Sequence, residues 1–384
     1  MSMDYQVAVI GAGIIGASIA AKLAHLGVSV ALIEQGTAGG RGASAYSGGL
    51  LRLYDSDPLL MALAARSIGL LDDEPFASAY TPALRRTGML YRAALEELGP
   101  LRDAIGQYHC EQYPMRLLDR DQLATLHPPS VAAPRRLCLY EPHAWVGNVR
   151  QAAAALAGQV RRNGLLLEHT EVEAIDCRSR NEVRLTLGEA TLRCRAVVIA
   201  TGAWSGQWLH QGLAGDPGGG LEARSIPLAR VACDEDWPLP IIDAATHTYG
   251  IPLTPRLVQT GCQPRATAAL PAQLPAPDAR HAADARIRLE RLSSGRAGRI
   301  VDILPGFDGY TPDGRPLVGF CSAQSPLYLA TGLSGVGFKL APAIAELAAE
   351  DLCRHLAGQT PGPQEQAFSP RRLINAPGGQ AAQP

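Results

Sequence analysis

The chain has 384 residues, a length that at about 150 residues per domain predicts two or three domains with a sizeable core. The net charge is −1 and charged residues make up 18% of the chain, so there is no basic field to hold nucleic acid. The eight cysteines lie far apart, without a CxxC pair or a nearby histidine at zinc-ligand spacing. They predict reduced thiols and no metal site.

The first residues lead into an apolar strand without a basic segment or a small-residue cleavage site. No apolar run reaches the ~18 residues of a membrane span. Together these features predict a cytoplasmic protein with no membrane span.

The first elements predict a right-handed βαβ unit. Residues 5–10 (YQVAVI) are a continuous apolar run, typical of a parallel strand buried on both faces. The segment GAGIIGASIAAKLAHLG has the apolar spacing of a helix that ends at Gly27, and VSVALIE is a second strand that closes on Glu34.

The rest of the chain predicts further helices and strands and no internal repeat. In chain order these are helices at 57–73 and 92–105, a short helix-like segment at 117–126, a helix at 148–163, strands near 165–175 and 182–195, the apolar run 196–200, a glycine-rich loop at 215–220, an Ala/Pro-rich loop at 264–283, a buried strand at 327–333, a helix at 340–357 and a disordered tail at 376–384.

The glycine turn after the first strand predicts a dinucleotide site. Gly11, Gly13 and Gly16 form GxGxxG, in which the first glycine permits a tight turn, the second lets the backbone approach a pyrophosphate and the third lets helix and strand pack closely. Glu34, at the end of the second strand, is placed to accept from a ribose hydroxyl. Both NAD and FAD use such a turn.

Five segments in order make the prediction more specific. They are QGTAGGRGASAYSGGLLR after Glu34, ATGAWSGQW at 200–208, TPDGRPLVG at 311–319, ATGLSGVGFKLAPAIAE at 330–346 and AFSPRRL at 367–373. Over nearly its whole length the chain thereby resembles the FAD-dependent amine and amino-acid oxidases, the family of D-amino-acid oxidase, glycine oxidase and monomeric sarcosine oxidase.

The resemblance implies an α/β fold in two parts. A Rossmann-type FAD-binding domain would comprise residues 1–75, 146–221 and 301–375, and a mostly antiparallel-sheet substrate (cap) domain would comprise 76–145 and 222–300. The expected cofactor-binding residues are Gly11, Gly13, Ile14, Ile15, Gly16, Glu34, Gln35, Ser44, Ser47, Gly48, Gly49, Val172, Thr201, Gly202, Trp204, Gly335, Val336, Gly337, Phe338 and Lys339.

The resemblance also implies where a substrate carboxylate binds. Glycine oxidase and D-amino-acid oxidase carry a carboxylate-binding arginine just before the TPDG-like turn, whereas this chain has Asp308 there. The sarcosine-oxidase branch uses instead an arginine and a lysine, which match Arg52 and Lys339. Arg52 could also make only a salt bridge between domains, and Lys339 could only extend its charge from a helix start to solvent. We expect both to be catalytic and substrate-binding, with Asp308 facing the substrate.

Three further positions bear on the chemistry. The match to the cysteine that links flavin covalently is Gly306, and Cys321 lies beyond the turn, so noncovalent FAD is expected. Gln259 aligns with a lysine that promotes reaction with oxygen, which leaves the electron acceptor open. His143 and Tyr249, with Trp145 and His247, lie in segments that border the pocket in relatives. His143 could bind substrate or be a satisfied structural histidine.

The resemblance implies an enzyme that oxidises the C–N bond of a small amine or amino acid. Hydride would pass to flavin N5, the imine would hydrolyse, and oxygen or another acceptor would reoxidise the flavin. Two alternatives stay open: a flavin monooxygenase or tailoring enzyme acting on a larger or protein-bound amine, and a flavoprotein subunit of a hetero-oligomeric dehydrogenase.

Overall fold

The computed structural model describes residues 2–126, 136–210, 220–293, 298–322, 324–359 and 367–374. Residues 215–219 of the predicted glycine-rich loop and the predicted tail at 376–384 lie outside the described residues.

The strands of the described residues are, in chain order, β1 Ser2–Ile10, β2 Val30–Ile33, β3 Leu50–Leu51, β4 Leu84–Arg86, β5 Met89–Ala93, β6 Arg116–Leu117, β7 Leu137–Glu141, β8 Trp145–Gly147, β9 Leu165–Leu167, β10 Ala174–Ser179, β11 Glu182–Leu187, β12 Ala190–Ile199, β13 Glu222–Ser225, β14 Leu228–Ala232, β15 Ile241–Asp243, β16 Thr248–Thr254, β17 Leu257–Gly261, β18 Thr267–Ala268, β19 Arg299–Leu304, β20 Phe307–Tyr310, β21 Leu317–Phe320 and β22 Leu327–Thr331. The helices are α1 Ile14–His25, α2 Gly42–Tyr46, α3 Pro58–Gly69, α4 Phe76–Tyr80, α5 Leu98–Tyr108, α6 Arg120–Leu126, α7 Val149–Asn163, α8 Ser205–His210, α9 Ala279–Leu292, α10 Gly337–Leu356 and α11 Arg371–Ile374.

A largely parallel sheet forms the first part of the fold. Its strand order is β10-β11-β12-β1-β2-β9, and β22 pairs with β12 and β21. β1 runs parallel to both β12 and β2, and Val7 and Val9 of β1 are fully buried. Helices α1, α7 and α10 pack together on one face of this sheet. The carboxyl ends of β1, β2, β12 and β22 therefore share one edge, the usual ligand position in such sheets.

A mostly antiparallel sheet forms the second part. Its strand order is β19-β14-β17-β16-β15-β5-β7-β6, in which β5 and β15 run parallel. Helix α9 packs against β14, β16, β17 and β19. The predicted fold class, an α/β domain with a second and mostly antiparallel sheet, is confirmed. The predicted domain boundary at 300/301 falls inside strand β19, and this strand pairs with β14 of the second sheet.

Two predicted elements are wrong in part. The helix expected at 92–105 begins only at Leu98, because residues 89–93 form a buried strand between β15 and β7 whose pairing overrides local helix propensity. The loop expected at 264–283 contains the start of α9, where the Asp278 side chain accepts a hydrogen bond from the Arg280 N–H.

In the described ranges, every helix is too short or too polar to cross a membrane.

The first testable consequence concerns the contact between α1 and β1. A methyl group at Gly16 would lie 1.9 Å from the carbonyl oxygen of Gly11, in the turn that follows β1, so Gly16→Ala forces the helix away from this turn. We expect a loss of about 1–3 kcal/mol in the free energy of unfolding, measured by urea denaturation. The matched control is Gly158→Ala in α7, where nothing lies within 4 Å of the added methyl group. Gly158→Ala should gain about 0.5–1 kcal/mol in the free energy of unfolding. Equal free energies of unfolding for Gly16→Ala and Gly158→Ala would contradict the close contact at Gly16.

Candidate functional site

A cavity of about 660 Å³ opens at the carboxyl edge of the first sheet and extends to the second. Ile10 and Thr201 line it from the first sheet, and Leu228 and Tyr249 line it from the second. All the predicted cofactor residues except Gly16 line this cavity, as do Arg52, Tyr249 and Asp308. The structure therefore brings together segments that lie up to about three hundred residues apart in the sequence.

One end of the cavity is formed by the glycine turn and the start of α1. Gly11 has φ 97°, and a Cβ there would lie 2.6 Å from the Ala200 carbonyl oxygen. A Cβ at Gly13, in contrast, would meet only the Ser44 Oγ at 3.2 Å, because this position faces the cavity. The backbone is thus exposed where a phosphate can approach the start of a helix.

Ser44 and Glu34 brace this turn. The Ile14 N–H donates to Ser44 Oγ at 2.9 Å. Glu34, only 8% exposed, accepts from the Ala12 N–H and the Gly36 N–H, each at 2.8 Å, through different carboxylate oxygens. Each oxygen keeps a second lone pair, and the side chain lines the cavity, so it can still accept from a ligand hydroxyl.

Elsewhere in the cavity wall, Asp308 on β20 holds the loop before α10. Its Oδ2 accepts from the Gly335 N–H at 2.9 Å and its Oδ1 from the Gly309 N–H at 2.7 Å. Burial raises the pKa of Asp308 to about 6, although both backbone hydrogen bonds favour the charged form. Asp308 is thus a carboxylate of the cavity wall that titrates close to neutral pH.

Arg52 lies on a loop that a buried glutamate holds in place. Glu141, fully buried at the end of β7, accepts from the Leu53 N–H at 2.8 Å and from the Tyr113 hydroxyl at 2.6 Å. The Arg52 guanidinium lies over the Tyr91 ring, 5.6 Å from its centroid. Its Nη1 is buried and has no hydrogen-bond partner among the described residues. Arg52 is thus a cation of the cavity wall whose hydrogen-bonding capacity is not used up by the described residues, which suits it to an anionic ligand.

Lys339 lines the same cavity but already has a partner. Its Nζ lies 2.5 Å from Asp55 Oδ2, with the two side chains 4% and 11% exposed. Burial, with the nearby Arg52 charge, lowers the pKa of Lys339 to about 8, and Asp55 opposes this decrease. Burial acts to raise the pKa of Asp55, but the Lys339 and Arg52 charges outweigh it and lower that pKa.

Several residues considered from the sequence lie outside the cavity lining. Gly16 packs behind the turn. His143 Nδ1 lies 2.7 Å from the Gln112 carbonyl oxygen, which is the structural alternative for this histidine. Gln259 is buried and donates to the Tyr46 carbonyl oxygen at 3.1 Å. The remaining three outside the lining are Trp145, His247 and Cys321.

The structure adds residues that the sequence did not single out. Asp55 and Glu141 act from behind the wall, while Arg41, Arg265 and Tyr310 line the cavity itself. Asp55 had one available signal, since it lies three residues after Arg52 in the same loop. Glu141 had none, because its role depends on the contact of β7 with a loop 88 residues earlier.

The cavity fits an extended dinucleotide cofactor such as FAD. The glycine backbone at Gly13 faces it, and the loop before α10 forms another part of its wall. None of the eight cysteines, all of which lie in the described part of the chain, lines the cavity.

Comparisons with known proteins agree with this geometry. A sequence model described as FAD dependent oxidoreductase matches residues 6–351. The chain is 31% identical to glycine oxidase of Geobacillus kaustophilus (strain HTA426) over 219 residues, which cover 53% of this chain and 56% of that protein. It is 27% identical to glycine oxidase of Pseudomonas aeruginosa over 371 residues, which cover 91% and 94% of the two chains.

Two solved structures have a similar fold. The crystal structure of L-proline dehydrogenase from P. horikoshii has a TM-score of 0.81 at 21% identity, and the match covers 97% of this chain and 98% of that one. The crystal structure of glycine oxidase from Geobacillus kaustophilus has a TM-score of 0.76 at 23% identity, covering 96% and 98%.

The second prediction tests the glycine turn. In Gly13→Val the new side chain enters the cavity, so we expect the Kd for FAD to rise about a hundredfold or more, about 3 kcal/mol. Flavin fluorescence on titration of the apoprotein measures this. A Cβ at Gly13 would approach only the Ser44 Oγ, at 3.2 Å, so the melting temperature of the apoprotein is measured to show that the variant is folded. Gly158→Val, with the same substitution away from the cavity, should bind FAD normally. Normal binding by Gly13→Val would contradict the assignment.

Proposed function

This chain belongs to the family of FAD-dependent oxidoreductases, and on that premise we propose that it oxidises the C–N bond of a small amine or amino acid. The observation that carries the proposal is the buried Arg52 Nη1 without a partner, in a cavity wall that also holds the Gly335–Lys339 segment. Relatives that are named glycine oxidase and L-proline dehydrogenase support a substrate of the amino-acid type.

When bound, FAD supplies the acceptor for a hydride from the carbon next to nitrogen. The residues of this chain position that carbon. Arg52 binds the carboxylate, because its guanidinium offers paired donors and lies in the cavity wall. Asp308, when ionised, attracts the ammonium form of the substrate, whose nitrogen gives a proton to solvent before the hydride leaves. The first sheet holds the cofactor, and the second sheet covers the substrate.

The opposite charges of Arg52 and Asp308 determine the direction in which an amino acid enters. Two carboxylates in a partly buried site repel each other, so a substrate whose acid group faces β20 is disfavoured. A substrate that places its acid group at Arg52 and its amine toward Asp308 meets complementary charges at both ends. This orientation is the one we propose.

The third prediction concerns Arg52. Arg52→Ala should lower kcat/KM for a secondary amino acid by a factor of about 30 to several thousand, which corresponds to about 2–5 kcal/mol for a carboxylate left without its partner. An uncharged secondary amine of similar size should lose much less. The control is Arg86→Ala, since Arg86 lies over the Trp145 ring outside the cavity lining. Equal activity of Arg52→Ala and wild type on the amino acid would refute the proposed carboxylate site.

The fourth prediction concerns Asp308 and pH. The carboxylate is charged above a pKa of about 6, so a small ammonium ligand should bind more tightly as the pH rises through 6. Competitive inhibition by ethylammonium between pH 5 and pH 8 measures this, and Asp308→Asn should remove the step. Asp313→Asn alters a carboxylate that pairs with Arg372 outside the cavity lining, and it should keep the step. A step of equal size in Asp308→Asn would assign it to another group.

The fifth prediction concerns the attachment of the flavin. We propose noncovalent FAD, because no cysteine of this chain lines the cavity. Acid precipitation of the purified yellow protein should release about one FAD per chain into the supernatant. Flavin that stays with the precipitated protein would contradict this.

A further inference from the structure

The ion pair between Lys339 and Asp55 is built into the wall of the cavity. Lys339 lines the cavity, whereas Asp55 lies behind it and is outside the lining. The separation of Nζ and Oδ2 is 2.5 Å, and both side chains are nearly buried. The ammonium thus has its counter-ion on the protein side before any ligand enters.

The loop fixes Asp55 independently of Lys339. Asp55 Oδ1 accepts from the Asp57 N–H at 3.1 Å, so both carboxylate oxygens are engaged. The preceding residues are held by Glu141, which accepts from the Leu53 N–H. Asp55 thus has a partner for each carboxylate oxygen, and the backbone on either side of it is anchored.

Of the two cations in this part of the wall, Lys339 has a counter-ion at hydrogen-bond distance and, within the described ranges, Arg52 does not. The groups that act on it are Asp55 and Arg52 from the loop and Glu141 from β7. Glu141 is occupied by the loop backbone and the Tyr113 hydroxyl, and Asp55 by Lys339. Arg52 alone has a buried donor without a partner among the described residues.

We propose that Asp55 is a positioning residue that withholds the Lys339 ammonium from the substrate, so that of these two cations only Arg52 is free to bind a carboxylate and this site selects a monocarboxylate. This inference rests on the proposed function, because it concerns the same carboxylate site. It differs from the expectation that Arg52 and Lys339 bind the carboxylate together.

Binding of a dicarboxylate distinguishes a site with Arg52 alone from a site in which Arg52 and Lys339 both bind carboxylates. In Asp55→Asn the Lys339 ammonium loses its partner and becomes a second free cation. The holoenzyme should then bind malonate about tenfold more tightly relative to acetate than wild type does. Perturbation of the flavin absorbance on titration with each anion gives both dissociation constants. Because Asp55 helps to keep Lys339 protonated, the gain should disappear with rising pH, with a midpoint below the wild-type value of about 8.

Lys339→Met, alone and combined with Asp55→Asn, tests the same idea without leaving a buried lysine unpaired. In Lys339→Met the Asp55 carboxylate is free to attract Arg52, so acetate should bind more weakly. Adding Asp55→Asn should restore acetate binding to within about twofold of wild type. If Lys339 itself binds the carboxylate, the double variant stays as weak as Lys339→Met, and that result overturns the proposal.

Two further measurements separate the possible failures. Glu346→Gln removes the carboxylate next to the other lysine, Lys22, and should leave both anion affinities unchanged. Melting temperatures of all variants show whether each is folded. Suppose that Arg52→Ala abolishes acetate binding, whereas Asp55→Asn leaves the affinity for malonate relative to acetate as in wild type at every pH. The proposed function then stands and this inference is overturned. If wild type binds neither anion, both are overturned.

Discussion

The carboxylate of Glu141 is the contact on which the part of the cavity wall around Arg52 depends. It is fully buried, and it satisfies the Leu53 N–H and the Tyr113 hydroxyl within one small region. A buried donor without a partner costs about 1–3 kcal/mol, so the loop is strongly held against Glu141. Arg52 and Asp55 stand on that loop, and Lys339 depends on Asp55 in turn. One glutamate of β7 thereby sets the position of three charged residues.

The polar and charged groups of the cavity wall differ in whether the protein already supplies their partners. The glycine turn supplies backbone N–H groups and the start of α1, which suit phosphate oxygens. The loop before α10 brings Lys339 to the wall with its counter-ion already in place, and Asp308 holds the same loop through the Gly335 N–H. Of Lys339 and Arg52, only Arg52 lacks a counter-ion at hydrogen-bond distance among the described residues. Under the proposed function this arrangement matches a molecule with one acid group and one amine, which would face Arg52 and Asp308.

The residues that keep the two sheets together also shape the site. β20 pairs with β13, which places Asp308 opposite Arg224, and the chain then continues through β21 and β22 into the first sheet. Gln259 of β17 reaches the Tyr46 carbonyl oxygen at the end of α2. These contacts join strands of the cap region to loops of the first sheet. The two sheets that line the cavity are therefore held together by strand pairing and a hydrogen bond between defined elements.

The sequence by itself determined the fold class and the family, and most of the site residues that it singled out line the cavity. The GxGxxG turn, Glu34 and the later glycine segments are local patterns whose physical requirement, close approach of backbone to a phosphate, is visible in the residue types. It also singled out Arg52, Lys339 and Asp308. The tertiary structure decided how these charges are used. Whether Lys339 is free or paired depends on Asp55, 284 residues away, and on burial, and neither can be seen in a local pattern. The extent of β5 and the place of His143 were decided likewise, because strand pairing and contacts between distant segments outweigh local propensity.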